Sequence, residues 1–555
     1  MSILSVNFII FFTIIAVIFF LLPGKLQWLW LLVCSMVFYY VNAGRNQFIA
    51  FLIIMAVNWA GSFVMSRLSD RSEERAKSEL SGSKNGIGGS VHERDSKWYD
   101  RQEKRVYVCV LLFDIFCLVI FKYIIFIMDI INAVLSVFNT AIPGHLYSYI
   151  DLLSGEFSPP RISYFMLIII GYITEVHWGR IKAFMNPGRL VLLASYFPLM
   201  TSGPIIEYSD VEGSLFGPEK HRFSYDRFVS GMMRILWGCF KKLVISERLA
   251  MVVNTVYADY EVYSGFYIWV AVIFFAMQLY TDFSGLMDIV LGMSEILSID
   301  LPENFDTPFY SVSLAEFWRR WHITLGGWLK TYVFFPVQRT KAFSKLRKFC
   351  KKKLGKGYEK KYDIPQFLGL LISWFLIGLW HGGGWNYIFG VGLYMGVIII
   401  LSELLKPVFI KLTALLKINT DCFSYRLFRR LRTFVIFVFG LSFFRAATLS
   451  EGFRMWKYAF TTFNPWIFFD RSLYGLGVSK DELLIAVFGL ILLLIVSFYK
   501  HRESDRGSGL SVRALILKQN RVFILLMFVI LFVLIITWGY YGSGYDASDF
   551  IYGRF

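Results

Sequence analysis

PQFLGLLISWFLIGLWHGGGWNYIFGVGLYMGVIIILSELL (residues 365–405) holds two apolar runs, 365–380 and 385–405, separated by one histidine, His381, and a row of glycines. A bilayer crossing needs about 20 apolar residues, somewhat fewer where flanking side chains snorkel. An imidazole between two such runs is costly to place, so it is a functional-site hypothesis before anything else. A second histidine, His322, lies in the aromatic and basic stretch FWRRWHITLGGW (317–328). Together they predict a chain that crosses a membrane repeatedly and does chemistry there.

Working outward, 6–22, 28–41, 47–65, 106–128, 162–178, 266–281, 432–448, 483–499 and 522–541 are further candidate spans, making roughly eleven crossings. The 555 residues are 56% hydrophobic and 19% aromatic, with a mean hydropathy of +0.54, far more apolar than a soluble protein of several cores requires. The expected fold is an all-α polytopic membrane protein in the cell membrane, read as one transmembrane domain over 1–555. The formal charge of +17 is spread over short segments between apolar runs, which fits cytoplasmic loops touching anionic lipid and not nucleic-acid binding. The richest of these, 66–105, 337–363, 406–432 and 500–521, are assigned to the cytoplasm; 138–160, 449–482 and 542–555 belong outside.

MSILSVNFIIFFTIIAVIFFLL (1–22) lacks the basic start and small-residue cleavage site of a signal peptide, and is expected to be a retained first span. Cys34, Cys109, Cys117, Cys239, Cys350 and Cys422 show no CxxC spacing, so neither a disulfide framework nor a metal site is indicated. HExxH, Walker A and strand-helix GxGxxG signatures are missing, as is a GxSxG elbow. Between 187 and 264 the pattern is ambiguous. YFPLMTSGPIIEY (196–208) breaks an apolar run with Pro and Gly, so 187–210 reads as a re-entrant or interfacial element whose freed backbone is buried or faces a wet cavity. Residues 226–249 read as an amphipathic helix partly in the interface, with Lys241 and Lys242 snorkelling, an ordinary tilted span being the alternative. Residues 66–105, with GSKNGIGGS (82–90), read as a mobile cytoplasmic linker.

A neutral imidazole at His381, walled by Trp380 and Trp385, suits a general base acting on a hydroxyl; a histidine packed at a helix end is the plainer reading. In the cytoplasmic-side motif 301–336, Ser313 and Glu316 form a capping-box pattern, and the helix they start is expected to carry Arg319 and His322 on one face with Trp318, Trp321 and Leu325 beside it. Arg319, Arg320 and Lys330 suit the phosphates of an anionic donor, or equally an interfacial helix with lipid-binding arginines. Asp282 orients a histidine, or caps its helix and pairs with an arginine.

The chain resembles the membrane-bound O-acyltransferase family, in particular its bacterial alginate O-acetyltransferase branch. The resemblance rests on LLPGKLQWLWLLVCSMVFYY (21–40), YFPLMTSGPIIEY, YTDFSGLMDIVLG (280–292), LPENFDTPFYS (301–311), EFWRRWHITLGGWL (316–329), GLWHGGGWNYIFGVGLYMG (378–396) and FIYGRF (550–555), in this order along the chain. It implies a helical fold around a transmembrane funnel or tunnel, with the acyl donor entering from the cytosol and the acceptor from the other side. By this resemblance His381 of the WHG motif is the catalytic residue, activating the acceptor for attack on a thioester, and His322 of the RRWH motif positions the donor or assists proton transfer.

The helices flanking His381 (364–405) then run outward from the basic loop 337–363. The implied function is an O-acetyltransferase that passes acetyl from cytosolic acetyl-CoA, a substrate and not a bound cofactor, across the membrane to an extracellular polysaccharide. An extracytoplasmic partner protein would complete the transfer. Departures from the branch are the ending FIYGRF, where an aromatic and a Gln are expected, and the long 66–105 insert. D-alanyl transfer from a carrier protein towards teichoic acid is the sister alternative, and a polysaccharide or lipid transporter without catalysis is the alternative of another class.

Overall fold

A computed structural model describes the chain except residues 83–88, 202, 218, 356, 361, 506–510 and 542–555. Among the described residues the regular elements are helices, and strand pairing is limited to an isolated bridge between Phe305 and Trp321. The chain divides into two compact units, Met1–Phe223 and Ser224–Phe555. The ending FIYGRF lies outside the described residues.

The first unit contains α1 (Val6–Leu21), α2 (Gly24–Ala43), α3 (Arg45–Gly82), α4 (Gly89–Leu118), α5 (Ile124–Ser136), α6 (Gly144–Phe157), α7 (Ile162–His177), α8 (Pro187–Ser195) and α9 (Tyr208–Phe216). The stretch read as a linker is helical on both sides of residues 83–88, because α3 and α4 continue into it. The two helices pack closely: a methyl on Gly61 would lie 2.4 Å from Val110. They also share a buried hydrogen bond in which Asn58 donates to Asp114 at 2.8 Å. The broken run 187–210 forms α8, capped by Asn186 and started by Pro187, followed by a 3-10 turn; most of its described residues are buried. Protein encloses the freed backbone there, as the Pro and Gly in the run require.

The second unit contains α10 (Tyr225–Cys239), α11 (Glu247–Ala258), α12 (Phe266–Ile296), α13 (Leu314–Arg320), α14 (Ile323–Leu329), α15 (Phe335–Gln338), α16 (Lys341–Leu354), α17 (Ile364–Trp380), α18 (Trp385–Tyr387), α19 (Tyr394–Leu404), α20 (Lys406–Leu415), α21 (Phe423–Arg445), α22 (Leu449–Thr461), α23 (Lys480–Asp505), α24 (Val512–Leu517) and α25 (Arg521–Trp538). π-helical turns join α10 to α11 (Phe240–Ser246), α14 to α15 (Lys330–Phe334) and α18 to α19 (Ile388–Leu393).

The lysines expected to snorkel are instead buried. Lys241 is paired with Asp288 at 2.6 Å, and Lys242 with Asp282 at 2.7 Å and Glu247 at 2.5 Å. Carboxylates from α12 compensate these charges inside the protein, so their heads need not reach water. The α10 and α12 backbones approach closely because Gly231 and Gly238 face Gly292 and Gly285; a methyl on Gly238 would lie 2.5 Å from the Gly285 carbonyl oxygen.

Seven described helices are long and apolar enough to cross a membrane: Gly24–Ala43, Arg45–Lys77, Lys97–Ser136, Phe266–Ile296, Trp385–Leu404, Lys480–Glu503 and Arg521–Trp538. Val6–Leu21, Ile162–His177 and Ile364–Trp380 are apolar but shorter. The expected span 432–448 falls mostly in α21, whose first half carries Arg426, Arg429, Arg430 and Arg432.

Candidate active site

His381 follows the last turn of α17 and is 4% exposed. The chain reverses after it through Gly383, whose φ of +67° suits glycine. It returns so close to α17 that a methyl on Gly378 would lie 2.6 Å from the Ile388 Cα, and one on Gly392 2.9 Å from the Trp374 carbonyl oxygen. The glycines therefore let two apolar runs pack nearly backbone to backbone, with His381 at the turn between them.

The RRWH segment does not form the continuous helix its spacing predicts. Ser313 caps α13 by accepting the Glu316 N–H at 3.2 Å, while Glu316 accepts from the Val312 N–H at 3.0 Å and not from the cap residue itself. The helix then stops at Arg320. Trp321 is extended and His322 is left-handed, with φ 48° and ψ 52°. The cause is pairing with the 304–306 segment: the Asp306 N–H donates to the Arg320 carbonyl at 2.9 Å, and the Ile323 N–H to the Asn304 carbonyl at 3.1 Å. A left-handed backbone at a non-glycine residue persists only where its surroundings enforce it, and such strain clusters at functional sites.

The Asn304 side chain holds His322. Its Oδ1 accepts from the Thr324 N–H at 3.1 Å and the Thr324 hydroxyl at 3.0 Å, and lies 3.2 Å from His322 Nδ1. A backbone N–H can only donate, so the atom it meets is the amide oxygen. His322 Nδ1 must then carry a hydrogen, leaving the lone pair of the neutral ring on Nε2. Burial pushes the His322 pKa down to about 3, so the ring is neutral near pH 7.

His322 and His381 line one cavity of about 280 Å³. Leu279, Leu325, Leu329, Ile377, Val391 and Leu441 supply much of its apolar wall. Trp380 touches both imidazoles, with ring centroids 5.8 Å from His322 and 4.9 Å from His381. Phe283 of α12 packs edge-on against His322 at 4.9 Å, and Phe444 of α21 against His381 at 5.2 Å. Trp321 lines the same cavity, as does the exposed Lys330, which puts a cation at its rim.

The remaining predicted residues lie elsewhere. Arg319 is exposed and does not line the cavity. Arg320 is tied to Glu316 at 3.1 Å and Asp306 at 3.6 Å. Trp385 is 53% exposed, and neither it nor Trp380 lines the cavity; Trp380 packs behind the two imidazoles, and the aromatic wall is formed by Trp318, Trp321, Trp374, Phe437 and Phe444. Asp282 pairs with Lys242 in the α10–α12 seam. Asn304 was not singled out from the sequence. It sits in the quoted stretch LPENFDTPFYS, but no local spacing links it to a histidine 18 residues onward.

Two buried imidazoles, that of His322 neutral, around a mostly apolar cavity can exchange protons with a bound hydroxyl while excluding bulk water. Residues 192–351, which include His322, match the MBOAT, membrane-bound O-acyltransferase family. The "Probable alginate O-acetylase AlgI" of Pseudomonas syringae pv. tomato is 28% identical over 405 residues, 73% of this chain and 69% of that protein. The protein of the same name from Pseudomonas putida is 27% identical over 447 residues, 80% of this chain and 82% of that protein. A "Teichoic acid D-alanyltransferase" of Bacillus subtilis is 28% identical over 249 residues, 43% of this chain and 57% of that protein. The chain is a multi-pass membrane acyltransferase, similar over residues 192–351 to the membrane-bound O-acyltransferase family and over most of its length to alginate O-acetylases.

Proposed function

We propose that this chain is an O-acetyltransferase that takes acetyl from cytosolic acetyl-CoA and passes it through the His322–His381 cavity for O-acetylation of an extracellular polysaccharide. The observation that carries this reading is the shared cavity: two buried imidazoles bridged by one tryptophan, with Lys330 at the rim. The similarity to alginate O-acetylases covers most of the chain and favours acetyl as the group transferred and a polysaccharide as its destination. The match to the D-alanyltransferase is shorter.

In this reading the acceptor hydroxyl loses its proton to His381 as its oxygen bonds to the thioester carbonyl carbon. The tetrahedral intermediate collapses by breaking the C–S bond, and the departing thiolate takes up the proton. His322, with its lone pair on Nε2, holds or relays a proton on the donor side. The apolar walls exclude water, which would otherwise divert acetyl to hydrolysis. Lys330 and the basic segment 337–363 suit the phosphates of coenzyme A. The segments read as external are short for a polymer-binding domain, so an extracytoplasmic partner receives the acetyl group and delivers it to the polymer.

The test is a donor comparison. Membranes with wild-type or His381→Ala protein at matched amounts receive labelled acetyl-CoA or a D-alanyl carrier-protein thioester, with and without the external fraction. Thiol release and label in polymer are followed. Turnover of acetyl-CoA that is lost in the variant supports the proposal; turnover of the carrier thioester alone overturns it in favour of D-alanyl transfer. Turnover that persists in the variant removes His381 from the chemistry.

A further inference from the structure

The amide of Asn304 sits where three hydrogen-bond donors meet: the Thr324 N–H, the Thr324 hydroxyl and His322 Nδ1 converge on its one oxygen at 3.0 to 3.2 Å. Asn304 is 1% exposed, and its nitrogen is held in turn, donating to the Met287 sulfur of α12 at 3.4 Å. The short loop that carries it is fixed on both sides. Glu303 is paired with Arg234 of α10 at 2.6 Å, and Asp306 with Arg320 and with Lys500 of α23 at 3.6 and 3.5 Å. Lys500 also donates to the Phe305 carbonyl at 3.3 Å. The amide therefore cannot turn over without leaving the Thr324 N–H facing a donor in place of its acceptor.

The geometry points to Asn304 as the positioning residue that sets the tautomer of His322, holding hydrogen on Nδ1 and presenting Nε2 as the proton acceptor for acyl transfer. The role in transfer rests on the proposed function; the tautomer does not. An amide is the fitting group for this task. A carboxylate at the same place would accept the same hydrogen bond but would also favour the imidazolium, and a protonated ring has no lone pair to offer. Burial of the ring acts in the same direction as the amide, towards the neutral form.

Other charged and titratable groups around the ring leave this assignment in place. His381 and Lys330 line the same cavity. From α12, Asp282 is paired with Lys242, and Asp288 with Lys241 and Arg234. Asp306 and Arg320, in the segments that pair across the bridge, bind each other. The aromatic neighbours are Phe283 and Trp380.

The experiment labels the full-length protein in membranes with diethyl pyrocarbonate, which reacts with the lone-pair nitrogen of neutral imidazole, and quantifies modification at His322 by mass spectrometry between about pH 5 and 8, the range over which an ordinary histidine titrates. In the wild type, the relative labelling of His322, referred to an exposed histidine, stays high at the acid end. In Asn304→Asp it falls severalfold there, because the introduced carboxylate raises the pKa of the ring. Thr324→Val removes one hydrogen bond from the same oxygen without adding charge, and its labelling follows the wild type.

Asn304→Ala lowers kcat by about 100-fold, the scale of a misplaced base, with KM within about twofold. In Asn304→Asp the acid limb of the pH–rate profile moves to higher pH. A purely structural role predicts instead that Asn304→Asp and Thr324→Val lose stability together with unchanged pH dependence, and that result overturns the assignment. If Asn304→Asp does not accumulate, the wild-type labelling decides alone: titration of His322 near an ordinary histidine pKa overturns it. Labelling needs no donor, so it stands even if acetyl-CoA proves to be the wrong one.

Discussion

Two buried regions of the second unit handle ionisable groups in opposite ways. In the α10–α12 seam, Arg234, Lys241, Lys242, Asp282 and Asp288 are charged, and each has a partner within 3.0 Å. In the cavity, two imidazoles are surrounded by leucine, isoleucine, valine and aromatic rings, and His322 is held by the Asn304 amide. Ion pairs fix one geometry, whereas a neutral imidazole in an apolar wall keeps its capacity to gain and lose a proton. The seam is built to stay as it is, and the cavity to change protonation state during a reaction.

The contrast can be broken from either side. The largest effect is expected in the seam: Asp288→Asn leaves Lys241 and Arg234 short of a counter-charge and should destabilise the protein by about 3–5 kcal/mol, read as a lower Tm in detergent. Combining it with Lys241→Met should recover much of the loss, since the orphaned charge and not the missing attraction dominates. In the cavity His381→Ala should do the reverse. It lowers kcat by about 10³-fold while Tm moves by no more than about 2 °C, because the ring lines a cavity and is not packed on all sides.

A smaller effect is the pH dependence of stability. His322 is held down to about 3 when folded, against 6.5 for an ordinary histidine. Between these values the unfolded chain binds the proton and the folded one does not, so the contribution of this residue is full above about pH 6.5 and erodes as pH falls towards 3. Thermal unfolding of wild type and His322→Gln across that window should show a steeper acid decline in the wild type. The smallest change is expected from Gly326→Leu. A methyl there meets nothing closer than the Trp318 carbonyl at 4.0 Å, so the side chain should project into the cavity it lines, cutting kcat/KM about tenfold with stability unchanged or slightly raised.

Much of the helical fold could be read from the apolar runs, because length and hydropathy are local properties. The seam could not. Its lysines looked like snorkelling residues because two of the three carboxylates that neutralise them, Asp282 and Asp288, lie on α12, 40 and more residues further along, and only Glu247 is near in sequence. Gly231, Gly238, Gly285 and Gly292 reveal their use only when the two helices are laid together. Both histidines were legible as costly groups among apolar residues. The break at Trp321–His322 was not, since the helical spacing of EFWRRWHITL continues unbroken and only pairing with residues 304–306 overrides it. For the same reason Asn304 and Phe444 were missed, while Arg320, read as suiting a donor phosphate, is held by Glu316, and Asp282, read as orienting a histidine or pairing with an arginine, is held by Lys242.

The most direct test is a structure of the protein in a lipid nanodisc with a non-hydrolysable thioether analogue of acetyl-CoA. The acyl carbon of the analogue should lie in the cavity between His322 and His381, with its phosphates towards Lys330 and the basic segment 337–363. An analogue bound with its acyl end outside that cavity, or on the far side of His381 from Lys330, would contradict a shared site in which the two histidines act on one thioester.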